Sequence, residues 1–159
     1  MLTLSGLNKV ISRETPYSHN KNMILFSLGV FLEICSKDER NKKIDIQSFI
    51  HWVKPAVLHG QYHFLYSEDK MKYTGFIMWA WVNDNTLQRY LTSDRFNLHP
   101  SEWNEGRNLI IVDYCNLTKL HQKLRKILKK VKKHKNNFDS FNYCIRNDSG
   151  IPTKIKKII

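Results

Sequence analysis

The sequence predicts an α/β fold: one mixed, mostly antiparallel sheet flanked by helices. Three observations carry this. Two segments with helical spacing of apolar residues, Met23–Ile34 and Ile44–Leu58, stand at the front of the chain. A pair of aromatic and β-branched runs separated by a short polar turn follows them, as expected of a hairpin. A near-continuous apolar run, Asn108–Tyr114, then precedes a long amphipathic segment and one more strand-like run. With 159 residues and 42% hydrophobic content, the chain is long enough for one domain with its own core. Residues 1–22 are polar and unpatterned and are expected to form a loose arm, leaving 23–159 as a single domain.

Each element has its own local reason. In Met23–Ile34 the apolar residues recur at helix-compatible spacing through Leu25, Leu28, Phe31 and Leu32. Ser36–Lys43 is a charged break. In Ile44–Leu58, one helical face carries Ile46, Phe49, Ile50, Val53 and Val57, and Pro55 is expected to kink or end the helix. Tyr62–Tyr66 and Tyr73–Val82 read as strands joined by the turn Ser67–Lys70. Asn85–Leu91 and Ser101–Glu105 read as short helices, with Ser101 as N-cap of the second. Asn108–Tyr114 has the composition of a strand buried on both faces. Leu117–Lys135 places Leu117, Leu120, Leu124, Ile127, Leu128 and Val131 on one helical stripe with lysines opposite. Phe141–Ile145 is the last strand expected, followed by a turn at Asp148-Ser149-Gly150 and a basic tail.

Charge is the strongest compositional signal. Lys and Arg number 26 against 14 Asp and Glu, a net +12. Such a balance points to an acidic partner: nucleic acid, a membrane surface or an acidic protein. Nine of the cations lie between Lys119 and Lys135, and Lys123, Arg125, Lys126, Lys130 and Lys133 are the candidate partner-binding set. Nucleic acid fits less well, because Trp79, Trp81 and Trp103 fall where the core is expected and no glycine-aromatic strand motif is present. No apolar run is long enough to span a bilayer, and no cleaved signal peptide is expected. Cys35, Cys115 and Cys144 are an odd number at wide spacing, expected as reduced thiols in a cytoplasmic protein. The histidines lack metal-ligand spacing, so no metal is expected.

Asp113 is the first candidate for chemistry. A carboxylate ending a buried apolar strand sits where a sheet opens to a ligand crevice, and it could orient an imidazole or hold an attacking ammonium. It could equally cap a turn with Cys115-Asn116. His51, His59 and His63 are further titratable candidates, with His59 and His63 flanking Gln61-Tyr62.

Taken in order, Pro55-Ala-Val-Leu-His-Gly-Gln-Tyr62, Trp79-Ala80, Arg89-Tyr90-Leu91, Ser101-Glu102-Trp103-Asn104-Glu105-Gly106 and Leu109-Ile-Ile-Val-Asp-Tyr114 carry a likeness to a known family. In that set the chain resembles the toxin-activating lysine acyltransferases, and Phe141–Arg146 is similar to that family's last-strand segment. The resemblance implies an acetyltransferase-like fold and makes Asp113 the catalytic aspartate. It also implies a Ser-x-x-His-Arg motif after the first helix, where this chain has Ser36-Lys37-Asp38-Glu39-Arg40. Ser36 and Arg40 match, while Glu39 stands at the histidine's place. A carboxylate is a weak base for stripping a lysine ammonium unless burial strengthens it. Three expectations follow: Glu39 acts as base, a histidine or partner supplies one, or the chain does not catalyse alone. Arg40, His59 and Gln61 are the expected substrate-binding residues. The turn Cys115-Asn116-Leu117-Thr118 has no glycine with which to cradle a pyrophosphate, so free coenzyme A is not expected as donor and no bound cofactor is expected. The resemblance implies an acylated carrier protein instead, an acidic partner for the basic helix. The family's smaller members act in siderophore-microcin maturation, where with a second protein they join a glycosylated siderophore to the peptide's C-terminus. That reading is preferred here. The alternatives are fatty-acyl transfer to a toxin lysine, or a non-catalytic basic binding or scaffold subunit.

Overall fold

The computed structural model describes residues 20–118 and 139–157. Its described part holds one mixed five-stranded sheet and three α-helices, the α/β class the sequence predicts. Helix α1 (Lys21–Lys37) and helix α2 (Ile46–His59) come first, then strands β1 (Tyr62–Ser67) and β2 (Lys72–Val82). Helix α3 (Asp84–Thr92) and a 3₁₀ turn, Pro100–Trp103, lead to β3 (Asn108–Asn116). Strands β4 (Ser140–Arg146) and β5 (Pro152–Lys157) complete the sheet, whose spatial order follows the chain. Neighbouring strands are antiparallel except β3 and β4, which are parallel.

Helix α1 begins at Asn20, whose side chain accepts the Asn22 amide, so helix replaces the last residues of the expected loose arm. Its buried positions are Ser27, Val30, Phe31, Ile34 and Cys35, one face at helical spacing. Leu25 and Leu32, expected on that face, point outward and are 67% and 52% exposed. Density of apolar residues had blurred the stripe. Helix α2 is capped by Asp45, which accepts the Ser48 amide, and ends at Gly60 in the left-handed conformation. Pro55 lies inside it without ending it, and Ile46 is exposed rather than on the buried face.

Strand β2 is the centre of the core. Phe76, Met78, Ala80 and Val82 face the helices and pack with Phe31, Phe49, Val53 and Ala56. Ile77, Trp79 and Trp81, on the opposite face, are buried too. Trp103 is buried as expected, but the turn carrying it is 3₁₀ and is capped by His99 rather than Ser101. Gly75 is obligatory, because a Cβ there would lie 2.2 Å from the Cys115 carbonyl oxygen on β3. Strand β5 occupies the segment expected to be a basic tail; its lysines hide the strand signal. The amphipathic run Leu117–Lys135 falls almost wholly outside the described residues, and its five candidate partner-binding cations do so entirely.

Parallel pairing of β3 and β4 covers only Asn108–Ile110 against Ser140–Asn142. Beyond it the Tyr90 hydroxyl joins the strands, donating to the Ile111 carbonyl at 2.7 Å and accepting the Cys144 amide at 2.8 Å. Burial of the phenol pushes its pKa strongly up, keeping it protonated and able to donate. The Arg146 guanidinium stacks on Tyr90 and Phe96 and donates to the carbonyls of Tyr90, Ser93 and Gly150.

Candidate functional site

A bulge in β3 sets the direction of Asp113. Met78 on β2 pairs with Asp113 while its neighbour Trp79 pairs with Ile111, leaving Val112 as an extra residue. Strict alternation would send Asp113 to the same face as Ile111. The extra residue reverses this, so Asp113 shares the helix-facing side of the sheet with Met78 and Cys115. A one-residue insertion thus turns a carboxylate toward the end of α1.

There it meets Arg40. The guanidinium Nη2 lies 3.8 Å from Asp113 Oδ1 and donates to the Tyr114 carbonyl at 3.0 Å. Asp113 Oδ1 also accepts the Tyr114 amide at 2.6 Å. The Asp113 side chain retains 21% of its surface, so it is shielded yet open on one side. Burial drives its pKa up to about 6; Arg40 and the Tyr114 amide pull it down, and the Asp38 charge adds to the rise. A carboxylate in that range is a far better proton acceptor near neutrality than an ordinary one.

The other groups of the site come from the end of α1 and from β3. Asp38 caps α1, its amide donating to the Cys35 carbonyl at 3.2 Å, and its Oδ2 lies 3.6 Å from Arg40 Nε. Cys35 and Cys115 line the same place. Burial, aided by the charges of Asp113 and Asp38, pushes both thiols up to about 12, so they are inert as nucleophiles. All three cysteines are free, with Cys35 and Cys115 buried and Cys144 partly so.

The expected site residues separate into those gathered here and those apart from it. Asp113 and Arg40 meet. Ser36 is on the last turn of α1, exposed, its hydroxyl donating to the Glu33 carbonyl at 2.8 Å. Glu39 turns away: its side chain is 84% exposed and pairs with Lys42 at 2.6 Å. Gln61 is buried and its amide donates to Asn104 Oδ1 at 3.5 Å, while its Oε1 has no hydrogen-bond partner among the described residues. It adjoins Tyr62, which is in line with Met78 and Asp113 across the sheet, so two strand spacings, about 10 Å, separate the Gln61 and Asp113 backbones. His59 ends α2, half-buried, and burial lowers its pKa, as it does for His63. His51 is exposed on α2. Among the described residues no histidine bonds to Asp113; its polar partners are Arg40 and the Tyr114 amide.

Asp38 and Tyr90 stand inside motifs read from the sequence but received no role of their own there. Asp38 sat one position before the residue that drew attention, and the capping geometry that buries it has no sequence signature beyond an Asp after a helix. Nothing in the sequence around Tyr90 marks a phenol that bridges two strands. Among the described residues no group of three or more His, Cys, Asp and Glu side chains converges as a metal site, and no helix is long and apolar enough to cross a membrane.

No curated protein matches the chain in a direct sequence comparison. A family model does: HlyC, the RTX toxin acyltransferase family, over residues 20–156.

Proposed function

The chain belongs to the RTX toxin acyltransferase family, and from that premise we propose that it modifies a peptide toxin by acyl transfer to a hydroxyl, as in siderophore-microcin maturation. Family membership makes it an acyltransferase of the toxin-activating kind. The finer reading rests on one observation: Asp113 is held at the end of α1 with its pKa near 6, and among the described residues no imidazole accompanies it. Such a carboxylate suits a hydroxyl, which needs its proton taken only as the bond forms, better than an ammonium that must first be stripped.

In the proposed step, Asp113 accepts the proton of a sugar hydroxyl on the glycosylated siderophore. The oxygen's lone pair forms a C–O bond to the activated C-terminal carbonyl of the peptide. The bond from that carbonyl to its leaving group, the sulfur of a C-terminal thioester, breaks, and the thiol departs with the proton. Arg40, 3.8 Å from Asp113, supplies positive charge where the tetrahedral oxyanion develops. Ser36, on the last turn of α1, flanks the entrance, with His59 and Gln61 as contacts for the bulk of the substrate farther along the sheet. The basic set Lys123, Arg125, Lys126, Lys130 and Lys133 receives an acidic protein, either an acyl carrier protein or a second maturation protein. The reaction takes place in the cytoplasm and uses no bound cofactor.

The test is reconstitution. The purified chain is incubated with the peptide bearing a C-terminal thioester and with glycosylated siderophore, with and without the neighbouring maturation protein, and the peptide is weighed by mass spectrometry. Gain of the siderophore mass at the C-terminus, lost in Asp113→Asn, is the expected result. A fatty-acyl mass on a toxin lysine, delivered by acyl carrier protein to the chain alone, would replace this reading with lysine acylation.

A further inference from the structure

Arg40 lies between two carboxylates, and the question is which of them holds it. Its Nε is 3.6 Å from Asp38 Oδ2 and its Nη2 is 3.8 Å from Asp113 Oδ1. Neither approach is the close bidentate contact that an arginine makes with a carboxylate it serves alone. A third bond, to the Tyr114 carbonyl at 3.0 Å, fixes the guanidinium in this straddling position.

The needs of the two carboxylates differ. Asp113 Oδ1 already accepts the Tyr114 amide. Asp38 is 18% exposed, and its Oδ2 is buried with no hydrogen-bond partner among the described residues, where Arg40 is the nearby cation that can offset its charge. Asp38 cannot move to a better place, because its backbone is tied at three points. Its amide donates to the Cys35 carbonyl, and its own carbonyl accepts the amides of Asn41 at 3.1 Å and Lys42 at 2.9 Å. It is a fixed anionic post at the helix end.

We infer that Asp38 is a positioning residue of the Asp113 site: it draws the Arg40 guanidinium toward itself and keeps that charge from closing onto Asp113. The inference rests on the reading of Asp113 as the proton acceptor. It assigns the pentad Ser36–Arg40 a working carboxylate one residue before Glu39, which faces solvent. The groups that face Asp113 are Arg40 and Asp38 from the segment after α1, Cys35 from α1, and Tyr114 and Cys115 from β3 itself. Both thiols stay neutral across the working range, so among the described residues Arg40 and Asp38 bring the charge. Removing Asp38 deletes a like charge and frees Arg40 to approach. Both effects favour the ionised form of Asp113.

Titration of Asp113 tests this on the full chain without any substrate. Aspartate carboxyl carbons are labelled with ¹³C, and Asp113 is assigned by the resonance missing in Asp113→Asn. Asp38→Asn should move its midpoint to lower pH by roughly one unit, within the range for an arginine brought close to a carboxylate. Arg40→Gln should move it to higher pH, and Asp69→Asn, in the exposed β1–β2 turn, should leave it in place. An unchanged or raised midpoint in Asp38→Asn overturns the inference, as does a failure of Arg40→Gln to raise it. Should Asp38→Asn not fold, Asp38→Ser is titrated in its place, with the same lowered midpoint expected and an unchanged or raised one overturning the inference. The pH–rate profile supplies the functional readout: the acid limb moves to lower pH with KM little changed. Because the titration uses no substrate, absent acyl transfer would count against the proposed function and not against the role of Asp38.

Discussion

Replacing Asp113 with Asn should abolish transfer and stabilise the fold, and the size of the gain follows from the site. The folded pKa near 6 lies about two units above the ordinary aspartate value of 3.8. In the unfolded chain the carboxyl therefore releases its proton first. Stability consequently falls as pH rises from about 4 to about 6, and the penalty is constant above that. At 1.36 kcal/mol per unit, the ceiling on this penalty is about 3 kcal/mol. Water reaching the one-fifth of the side chain that is exposed reduces it, so roughly 1–3 kcal/mol is expected at pH 7. Asparagine keeps the shape and never ionises. The assay is urea denaturation of wild type and Asp113→Asn, followed by circular dichroism at pH 4.5 and pH 7.5. The variant should gain over wild type at pH 7.5 and lose most of that gain at pH 4.5. Equal stabilities at both values, or a variant less stable at neutral pH, would refute the account of a carboxylate held against its preference.

Three further outcomes are expected. Tyr90→Phe leaves the Ile111 carbonyl and the Cys144 amide without their partner, costing about 2–6 kcal/mol by the same denaturation measurement, since each orphaned buried group costs about 1–3 kcal/mol. Glu39→Gln should leave acyl transfer within about twofold of wild type in the reconstituted assay, because its side chain meets solvent and Lys42 rather than Asp113. Reversing Lys123, Lys126 and Lys130 to Glu should weaken binding of the acidic partner and flatten its salt dependence, read by titration calorimetry at two ionic strengths.

Most of the fold was legible because its signals are local. Val53 and Val57 mark the buried face of α2, and the run Phe76–Val82 marks the central strand, each within one window of sequence. Where many apolar residues crowd one helix, as in α1, periodicity alone could not say which of Leu25, Leu28, Phe31 and Leu32 would be inside. Strand β5 escaped notice because Lys154, Lys156 and Lys157 suit an exposed sheet edge, where charge deters further pairing, and such charge reads as tail. The site was half legible. Asp113 stood out at the end of an apolar run, but its orientation depends on the bulge at Val112, a two-strand property that no single segment encodes. Arg40 was found by motif spacing. Asp38 was not, because what sets it apart from Glu39 is the direction in which the chain leaves α1.

The short parallel pairing of β3 with β4 divides the sheet into two cooperative blocks. Strands β1 to β3 pair antiparallel over long registers, and β4–β5 is a hairpin of its own. Between the blocks stand the residue pairs from Asn108 to Ile110, the Ser140 hydroxyl donating to Asn108 Oδ1, the Tyr90 phenol and the Arg146 guanidinium. Such a seam is where sub-global opening costs least. Backbone amides of β4 and β5 should therefore exchange with solvent as a group, ahead of those in β2, while the wall that carries Asp113 stays closed. Loosening and the proposed proton transfer at Asp113 are thereby assigned to opposite sides of one strand, β3.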